Sequence, residues 1–482
     1  MSPLEDALAR WEPVIGLEVH AQLETDSKIF SEAPVGFDVD HPNTHVVAYC
    51  LGLPGTLPVL NRRAVELAVR AGVALGCTVA EKSVFSRKHY FYPDLPKGYQ
   101  ISQYDQPVCL GGGLEITGDD GTARTIHLTR IHLEEDAGKN LHVEGAPYTL
   151  VDYNRAGVPL AEIVSEPELR SAGESARYLR ALRAILVALD VCDGNMEQGS
   201  LRADVNISLR KRGTTPFGAR VEIKNVNSFR FVEQAIEHEI VRQARLLEGG
   251  ERVPQETRLF DSTKKVTRSM RSKEEAPDYR YFPDPDLPPL VIPKEWISSA
   301  RSLLPELPAA MIARWIAAGV PDESARTFAE EREVARWFEL ALAAHPSGAA
   351  GIAHLVKGEI LRELKDDPAA ITKLSPETVA ELVRLKEKDA ISSTQQKKLL
   401  GEIWKNGARL EDLMAAEGGQ VDDRGALEAL VDQVVAAHPS EAASARAGKT
   451  QVIGFFVGKV MKSSGGKAKP TLVKQIVEEK LK

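Results

Sequence analysis

The chain has 482 residues, of which 43% are hydrophobic and 27% are charged, and its formal net charge is −8. This length exceeds what one hydrophobic core supports, so we expect two to four domains. The composition is that of a soluble globular protein, and no apolar run is long enough to cross a membrane. The negative charge argues against nucleic-acid binding over the whole surface, so a polyanion would need a local basic patch.

The spacing of the cysteines gives little indication of a functional role. Cys50, Cys77, Cys109 and Cys192 lie far apart and form no CxxC pair. They predict neither a disulfide framework nor a zinc site. The first residues also lack the basic and apolar regions of a secretory signal. We therefore expect a reduced, cytoplasmic protein with no membrane partner.

Residues 11–292 alternate between strand-like and helical patterns. Apolar and polar residues alternate in three stretches, which predicts half-buried strands at 14–23, 200–210 and 219–224. Helical periodicity predicts helices at 61–75, 175–189 and 231–247. Strands with a polar face are typical of an antiparallel sheet that is open to solvent or ligand on one side.

The remaining residues read as almost entirely helical. Six prolines between Pro277 and Pro293 indicate a boundary, and Asn406-Gly407 indicates a second one. Between them, Ser375-Pro376 predicts a helix start, because a capping hydroxyl precedes proline at the first helical position. Residues 449–482 carry eight lysines and two glutamates, a local charge of +6. This segment is a local basic patch of the kind that binding of a polyanion would require.

Acidic and imidazole groups lie in or beside several apolar, strand-like runs. Glu18 and His20 are two residues apart, so both project from one face of a strand. The acids of 134–136 follow a second apolar run, and Glu162 lies within a third. Taken singly, each is equally at home on a solvated strand, and Glu162 pairs as readily with an arginine such as Arg155. Together, three carboxylates and an imidazole predict a site for Mg²⁺ or Mn²⁺, with Zn²⁺ as an alternative.

Two segments, 83–102 and 278–286, interleave cations with aromatic residues. Such segments suit base stacking and phosphate contacts, or they form an aromatic plug over one end of a sheet. The chain has no GxxxxGK[ST] sequence, so a site for ATP would not be a P-loop. It also has no GxSxG sequence and no Gly/Ser-rich amidase signature. If the chain builds C–N bonds from glutamine, the ammonia must therefore come from elsewhere.

These runs resemble the B subunits of glutamine-dependent aspartyl/glutamyl-tRNA amidotransferases, the GatB/GatE family of the GatCAB complex. The first matching run reads VIGLEVHAQL, and matches cover nearly the full length of the chain. The matching segments are 14–23, 52–55, 87–94, 99–107, 134–139, 151–160, 162–167, 278–283 and 454–462.

The resemblance implies an α+β protein with a mixed, mainly antiparallel cradle domain, then an all-α helical domain and a small YqeY-like helical tail. We place these domains at 11–292, 293–405 and 406–482. It also implies a cytoplasmic heterotrimer, in which the partners are the amidase (the A subunit) and the small C subunit, acting in protein biosynthesis. This C–N ligase would use ATP and Mg²⁺ to phosphorylate glutamate on tRNA(Gln) or aspartate on tRNA(Asn). Ammonia from the glutaminase partner would then displace the phosphate, and either or both tRNAs would be substrates.

Carried over residue by residue, the family's metal ligands fall on His20, Glu135 and Glu162, with Glu18 as a catalytic neighbour. Lys88 matches a lysine near the ammonia path. Beyond the resemblance, we predict phosphate and carboxylate contacts from three further residues of the polar strand faces, namely Arg202, Asp204 and Lys224. For the basic tail we predict tRNA-backbone contacts, from Lys459, Lys462, Lys467 and Lys469.

One departure from the family concerns zinc. Many relatives carry a zinc knuckle built from a CxC and a CxxC after the position of Lys28, whereas here only Cys50 remains. We therefore expect no structural zinc. The alternative function is a non-catalytic tRNA-binding scaffold in the same complex, and a free-standing metal-dependent ATPase or kinase is disfavoured by the basic tail.

Overall fold

A computed structural model gives the fold of the chain. It describes residues 2–36, 40–143, 145–272, 279–364, 368–417, 423–446, 451–464 and 468–481. The chain divides into two compact units, Met1–Pro308 and Ala309–Lys482. Within the described residues, no helix combines the length and apolar character that crossing a membrane requires.

The first unit holds all the strands of the described residues and five of the helices. The strands are β1 Trp11–Gln22, β2 Thr78–Val79, β3 Lys82–Ser83, β4 Ser86–His89, β5 Tyr99–Ser102, β6 Cys109–Leu110, β7 Gly113–Thr117, β8 Ala123–Glu135, β9 Lys139–His142, β10 Thr149–Asp152, β11 Pro159–Ser165, β12 Leu201–Lys211, β13 Val221–Lys224, β14 Glu256–Asp261, β15 Val266–Ser272, β16 Phe282–Pro283 and β17 Leu290–Val291. The helices are α1 Pro3–Arg10, α2 Arg62–Ala74, α3 Ala172–Ala188, α4 Phe229–Glu248 and α5 Lys294–Ser302. The predicted strands and helices of this region are confirmed, with shifts of a few residues at their ends.

A ten-stranded sheet forms the centre of this unit, in the order β15-β14-β13-β12-β1-β11-β8-β6-β2, with β7 paired to β8. The pairings that flank β1 are antiparallel, as the alternating pattern predicts, whereas β13 and β14 run parallel. Odd-numbered residues of β1, such as Ile15, Leu17 and Val19, are fully buried in the core. Because side chains alternate along a strand, the even-numbered residues occupy the opposite face. That face carries the polar groups.

Helices cover the apolar face of the sheet, and their ends follow from local capping. The side chain of Asn61 caps α2, that of Ser171 caps α3 and that of Ser228 caps α4, each by accepting a backbone N–H bond. Smaller sheets complete the unit: β16-β4-β5, β9-β10 and β3-β17. The first of these places the aromatic segments beside β8.

The second unit is helical. Its helices are α6 Pro308–Ala317, α7 Asp322–Ala329, α8 Arg332–Ala344, α9 Ala349–Leu355, α10 Leu361–Glu363, α11 Pro376–Glu387, α12 Ser393–Asn406, α13 Leu410–Glu417, α14 Arg424–Ala437, α15 Pro439–Arg446, α16 Gln451–Ser463 and α17 Pro470–Leu481. Ser375 caps α11 as predicted, and Gly407 ends α12 in the left-handed region, at φ 63°. One hydrophobic cluster spans Trp315 to Ile403 and another spans Leu427 to Leu481.

The fold class is confirmed: an α+β sheet region is followed, in the described residues, by helices alone. α5, which we assigned to the helical domain, packs against α2 in the first unit, where the Arg62 guanidinium lies 4.6 Å from the Trp296 ring centroid. The three-domain division at 292 and 405 stays a prediction.

Candidate metal and phosphate site

Strand register gathers the imidazole and carboxylate groups on the polar face of the sheet. His20 of β1 lies opposite Glu162 of β11, and Glu162 lies opposite His132 of β8. Glu134 lies two residues beyond His132 on the same face. Three strands far apart in sequence therefore converge on one cluster.

The cluster of His20, Glu134 and Glu162 is compact. Nε2 of His20 lies 3.3 Å from Glu162 and 3.5 Å from Glu134. Three possible ligand atoms, one from each residue, lie within 4.8 Å of one another. Nε2 of His132 lies 3.1 Å from Glu162 and 3.7 Å from Glu134, so a second imidazole supports the two carboxylates.

Charges and hydrogen bonds within this cluster counteract the effect of burial on the pKa values of its members. Burial alone would raise the pKa of Glu162, but the charges and hydrogen bonds of His132 and His20 hold it well below its usual value. Burial would likewise raise the pKa of Glu134, but the hydrogen bond from His132 and the charges of His20 and His132 together lower it. For His132, burial lowers the pKa, but Glu162 and Glu134 raise it to about 9. The site therefore keeps ionised carboxylates at low solvent exposure, which a cation would further stabilise.

Glu135 is not part of this cluster, so the predicted ligand set is wrong in one member. Side chains alternate along β8, and Glu135 faces the opposite side of the sheet from Glu134. Its carboxylate accepts bonds from Lys97 Nζ at 2.5 and 2.6 Å and from the Ile101 N–H at 2.9 Å. Glu134 takes the place that we assigned to Glu135.

A second acidic group adjoins the first. Carboxylate oxygens of Glu18, Asp204 and Glu222 lie within 4.8 Å of one another. Lys224 Nζ lies 2.6 Å from Asp204 and 2.9 Å from Glu222, and the side-chain amide of Asn206 donates to Glu18 at 2.9 Å. Burial and the charges of Glu162, Asp204 and Glu222 raise the pKa of Glu18. Burial would lower the pKa of Lys224, but Asp204 and Glu222 raise it.

Both groups open into one cleft of about 380 Å³. Lys88 and aromatic side chains form the wall facing the acids: Lys88 Nζ lies 4.9 Å from the Tyr279 ring centroid, and the Tyr104 and Tyr281 rings stack at 4.3 Å. Burial disfavours the charged ammonium of Lys88, but the charges of Glu134, Tyr281, Tyr279 and Glu162 together outweigh burial and raise its pKa. The aromatic segments thus line the cleft, while Asp278 and the residues before it, back to 273, lie outside the described residues.

Arg202 pairs with an acidic residue of the 134–136 run. Its guanidinium donates to Asp136 at 2.9 Å, and Asp136 also lies 3.6 Å from Arg155. Arg202 is not among the side chains that line the cleft, and its phosphate contact stays a prediction. The alternative pairing of Glu162 with Arg155 is wrong, because Arg155 faces Asp136 and Glu162 faces the two histidines.

Sequence reasoning missed several residues of the cleft, among them His132, Glu134 as the inward-facing acid, Arg220 and Glu222. The sequence pattern did indicate His132 and Glu134, because positions 130, 132 and 134 share one face of a strand that ends in a polar run. Arg220 and Glu222 share a face with Lys224 by the same rule. The local pattern does not predict which strands pair with one another when they are far apart in sequence.

The tail lysines lie on or beside α16 and α17. Lys459 and Lys462 are exposed on α16, and Lys459 Nζ lies 5.2 Å from the Phe455 ring centroid. Lys469 forms an ion pair with Asp389 at 3.2 Å. Lys467 lies outside the described residues. In the first unit, Cys50 is buried, with its Sγ 3.6 Å from Lys28 Nζ, and the expectation of no structural zinc stays a prediction.

Family models match both units of the chain. The model described as the GatB/GatE catalytic domain matches residues 13–298, and the model described as the GatB domain matches residues 336–481. The first unit therefore belongs to a known class of catalytic domain, and the chain belongs to the GatB/GatE family.

Full-length relatives are named as B subunits of aspartyl/glutamyl-tRNA(Asn/Gln) amidotransferases. The protein from Nitratidesulfovibrio vulgaris (strain DP4) is 51% identical over 478 residues, covering 98% of this chain and 100% of that protein. The protein from Myxococcus xanthus (strain DK1622) is 50% identical over 475 residues, covering 98% of each. Similarity at this level over both units supports the resemblance drawn from the motifs.

Proposed function

We propose that the chain is the subunit of a tRNA-dependent amidotransferase that activates and amidates glutamate on tRNA(Gln), aspartate on tRNA(Asn), or both. The observation that carries this proposal is the convergence of His20, Glu134 and Glu162 beside a second acidic group and two cations in one cleft. Ionised carboxylates held at low exposure beside Lys88 and Lys224 suit phosphoryl transfer, where positioning and charge stabilisation dominate.

The donor set fits a divalent cation. Two carboxylates with depressed pKa values and one imidazole, from His20, are ligands that Mg²⁺ or Mn²⁺ accepts. His132 contacts both carboxylates and would hold their orientation. When bound, the ion supplies neutralisation of phosphate charge and of the charge that develops during transfer.

The reaction needs two steps, because an ionised carboxylate is a poor electrophile. In the first, an oxygen of the substrate carboxylate attacks the γ-phosphorus of ATP, the bond to the bridging oxygen breaks and ADP leaves. In the second, ammonia attacks the acyl carbon, the C–O bond to phosphate breaks and phosphate leaves. Lys224 and Arg220 line the cleft where they would contact phosphate oxygens.

Glu18 is our candidate for accepting the proton that the attacking nitrogen loses. Its carboxylate lies on the cleft, and its raised pKa brings it closer to the range in which a carboxylate acts as a base. Lys88 lies on the opposite wall, where its ammonium would orient the substrate carboxylate or the acyl phosphate. This placement is compatible with the family's lysine near the ammonia path.

The ammonia source would be a separate glutaminase, the A subunit, and the small C subunit would complete the heterotrimer. The chain itself lacks the serine-nucleophile signatures of an amidase. Lys459, Lys462, Lys467 and Lys469 would contact the tRNA backbone, and we place the complex in the cytoplasm.

Glu162→Gln in the assembled complex tests the catalytic proposal against the scaffold alternative. We expect amidation of mischarged tRNA and tRNA-dependent ATP consumption to fall at least about 100-fold, since Glu162 would hold the cation that neutralises charge in the transition state. Glutaminase activity and tRNA affinity should persist. Glu115→Gln, an exposed position on β7, is the matched control. Amidation at the wild-type rate, or a loss confined to tRNA affinity, would contradict the catalytic role.

A further inference from the structure

The wall of the cleft that faces the acids includes a short segment, residues 279–286, which we call the strap. Tyr279 and Tyr281 of the strap line the cleft, and the Tyr281 ring stacks on that of Tyr104. The strap joins the rest of the unit through β16, which pairs with β4 at only two positions. Because so short a pairing supplies few ladder hydrogen bonds, side-chain contacts must help to keep the strap in place.

Arg87 of β4 holds the C-terminal half of the strap by two charge-assisted hydrogen bonds. Its Nε donates to Asp284 at 2.8 Å, and its Nη2 donates to Asp286 at 2.7 Å. The Asp284 side chain is fully buried, and the Arg87 side chain is 17% exposed. The guanidinium carbon also lies 4.4 Å from the Tyr99 ring centroid. Bonds of this kind at low exposure are stronger than surface ion pairs, so Arg87 anchors the strap.

The N-terminal half of the strap has a backbone conformation that needs support. Arg280 has a φ of 43°, in the left-handed region that residues other than glycine rarely adopt. Such a conformation persists only where neighbouring contacts fix it. His89 of β4 supplies two: its backbone N–H donates to the Tyr279 carbonyl oxygen at 2.8 Å, and its Nδ1 donates to the Arg280 carbonyl oxygen at 3.3 Å. β4 therefore holds both halves of the strap.

Lys88 lies between these two anchoring residues of β4, so its side chain projects from the opposite face of the strand. Its ammonium lies 4.9 Å from the Tyr279 ring centroid and 5.9 Å from that of Tyr90. Both distances are within the range of cation–π attraction. A shift of the strap would therefore move a ring that holds the ammonium on the wall facing the acids.

We propose that Arg87 is a positioning residue for the amidation reaction. Its bonds to Asp284 and Asp286 keep the strap against β4, and the strap keeps the Tyr279 ring beside the Lys88 ammonium. Arg87 is not among the side chains that line the cleft, so it acts through the strap and not on the substrate. The inference rests on the proposed function, in which Lys88 orients the substrate carboxylate or the acyl phosphate.

Arg87→Met tests this role in the full-length chain with its partner subunits. Ammonium chloride replaces glutamine as the nitrogen donor, so the glutaminase does not limit the rate. We expect kcat for amidation of mischarged tRNA to fall about 10- to 100-fold, with KM for the tRNA unchanged, since the loss is one of positioning. Arg87→Lys should fall between the two, because an ammonium keeps the charge beside Asp284 but cannot hold two carboxylates as a guanidinium fork does.

The rate of Lys88 acetylation by acetic anhydride, followed by peptide mass spectrometry, is a readout independent of activity. Release of the strap uncovers the half-buried Lys88, so Arg87→Met should raise this rate at least about threefold. Lys82, exposed on β3, should react equally in all variants. Because Arg87→Met leaves the buried Asp284 carboxylate without its counter-charge, Asp286→Ala is the milder variant. The Asp286 side chain is 35% exposed, and its loss should give both effects to a smaller degree.

Arg124→Met is the matched control. Arg124 also pairs with a buried carboxylate, that of Glu174 at 2.5 Å, and it is not among the residues that line the cleft. This variant should lose stability but keep the wild-type kcat and the wild-type rate of Lys88 acetylation.

The proposal is overturned if Arg87→Met and Asp286→Ala leave kcat and Lys88 acetylation unchanged. It is also overturned if Arg124→Met changes both as much as Arg87→Met does, since the effect would then be one of general stability. If Lys88→Met abolishes amidation while Arg87→Met does not slow it, only this inference fails. If Lys88→Met itself amidates at the wild-type rate, the role that the proposed function gives to Lys88 fails as well, so the two failures are distinguishable.

Discussion

Glu134 and Glu135 are adjacent on β8, yet their carboxylates face opposite sides of the sheet: Glu134 joins His20 and Glu162 in the cleft, and Glu135 pairs with Lys97 on the other side. Strand pleating alone separates them. Two neighbouring acids of one sequence run therefore have different roles, one in the proposed metal site and one in stability.

The stabilising role of Glu135 is testable by substitution. Its side chain is 3% exposed and that of Lys97 is 10% exposed, so Glu135→Gln leaves a buried ammonium without its counter-charge. We expect a loss of about 3–5 kcal/mol in the free energy of unfolding, measured by urea denaturation. The double variant Glu135→Gln/Lys97→Met should recover part of this loss. Equal stability of Glu135→Gln and the wild type would contradict the pairing.

Glu239 gives a prediction of pH dependence. It lies on α4, is 0% exposed, and accepts bonds from Arg242 at 2.8 Å, with Arg258 of β14 at 3.1 Å. Burial would raise the pKa of Glu239, but hydrogen bonds and charge from Arg242 lower it below its ordinary value of 4.5. A depressed pKa in the folded state contributes stability above pH 4.5, and this contribution is lost as pH falls through the folded-state pKa.

Glu239→Gln should therefore lose about 3–5 kcal/mol in the free energy of unfolding at pH 7, because Arg242 and Arg258 would then share Glu256 as their remaining counter-charge. The difference from the wild type should shrink as the pH falls below 4.5. Urea denaturation from neutral to acidic pH measures both effects. A difference that grows toward low pH would contradict the assigned direction of the pKa shift.

The basic tail gives a prediction about salt dependence. Lys459 and Lys462 are exposed and three residues apart on α16, so they lie on one face of the helix. Replacing both by alanine should weaken tRNA binding and reduce the slope of log K against log salt by about 0.7–0.9 for each phosphate that the helix no longer neutralises. Filter binding at several salt concentrations measures this slope. Lys474→Ala, outside the predicted tRNA-binding set, is the comparison, and an unchanged slope in the α16 variant would refute the tail role.

Much of the fold was readable from local patterns. Alternation along 14–23 predicted β1, and the capping residues Asn61 and Ser375 agree with predicted helix starts. The site was readable only in part. Glu18, His20 and Glu162 were identified, but which acid of 134–136 faces them depends on the register of β8 against β11, which arises from long-range pairing. The pairing of Arg202 with Asp136 could not be predicted for a related reason, because Asp136 lies 66 residues away in sequence.

Mn²⁺ binding to the purified complex, followed by electron paramagnetic resonance, tests the central claim most directly. Glu134→Gln and Glu162→Gln should each weaken Mn²⁺ binding by at least about tenfold, since each removes a charged ligand. Glu135→Gln and the exposed control Glu115→Gln should bind as the wild type does once circular dichroism shows that they are folded. If Glu134→Gln retains wild-type affinity, or Glu135→Gln loses as much as Glu162→Gln, the assignment of the metal site to His20, Glu134 and Glu162 is wrong.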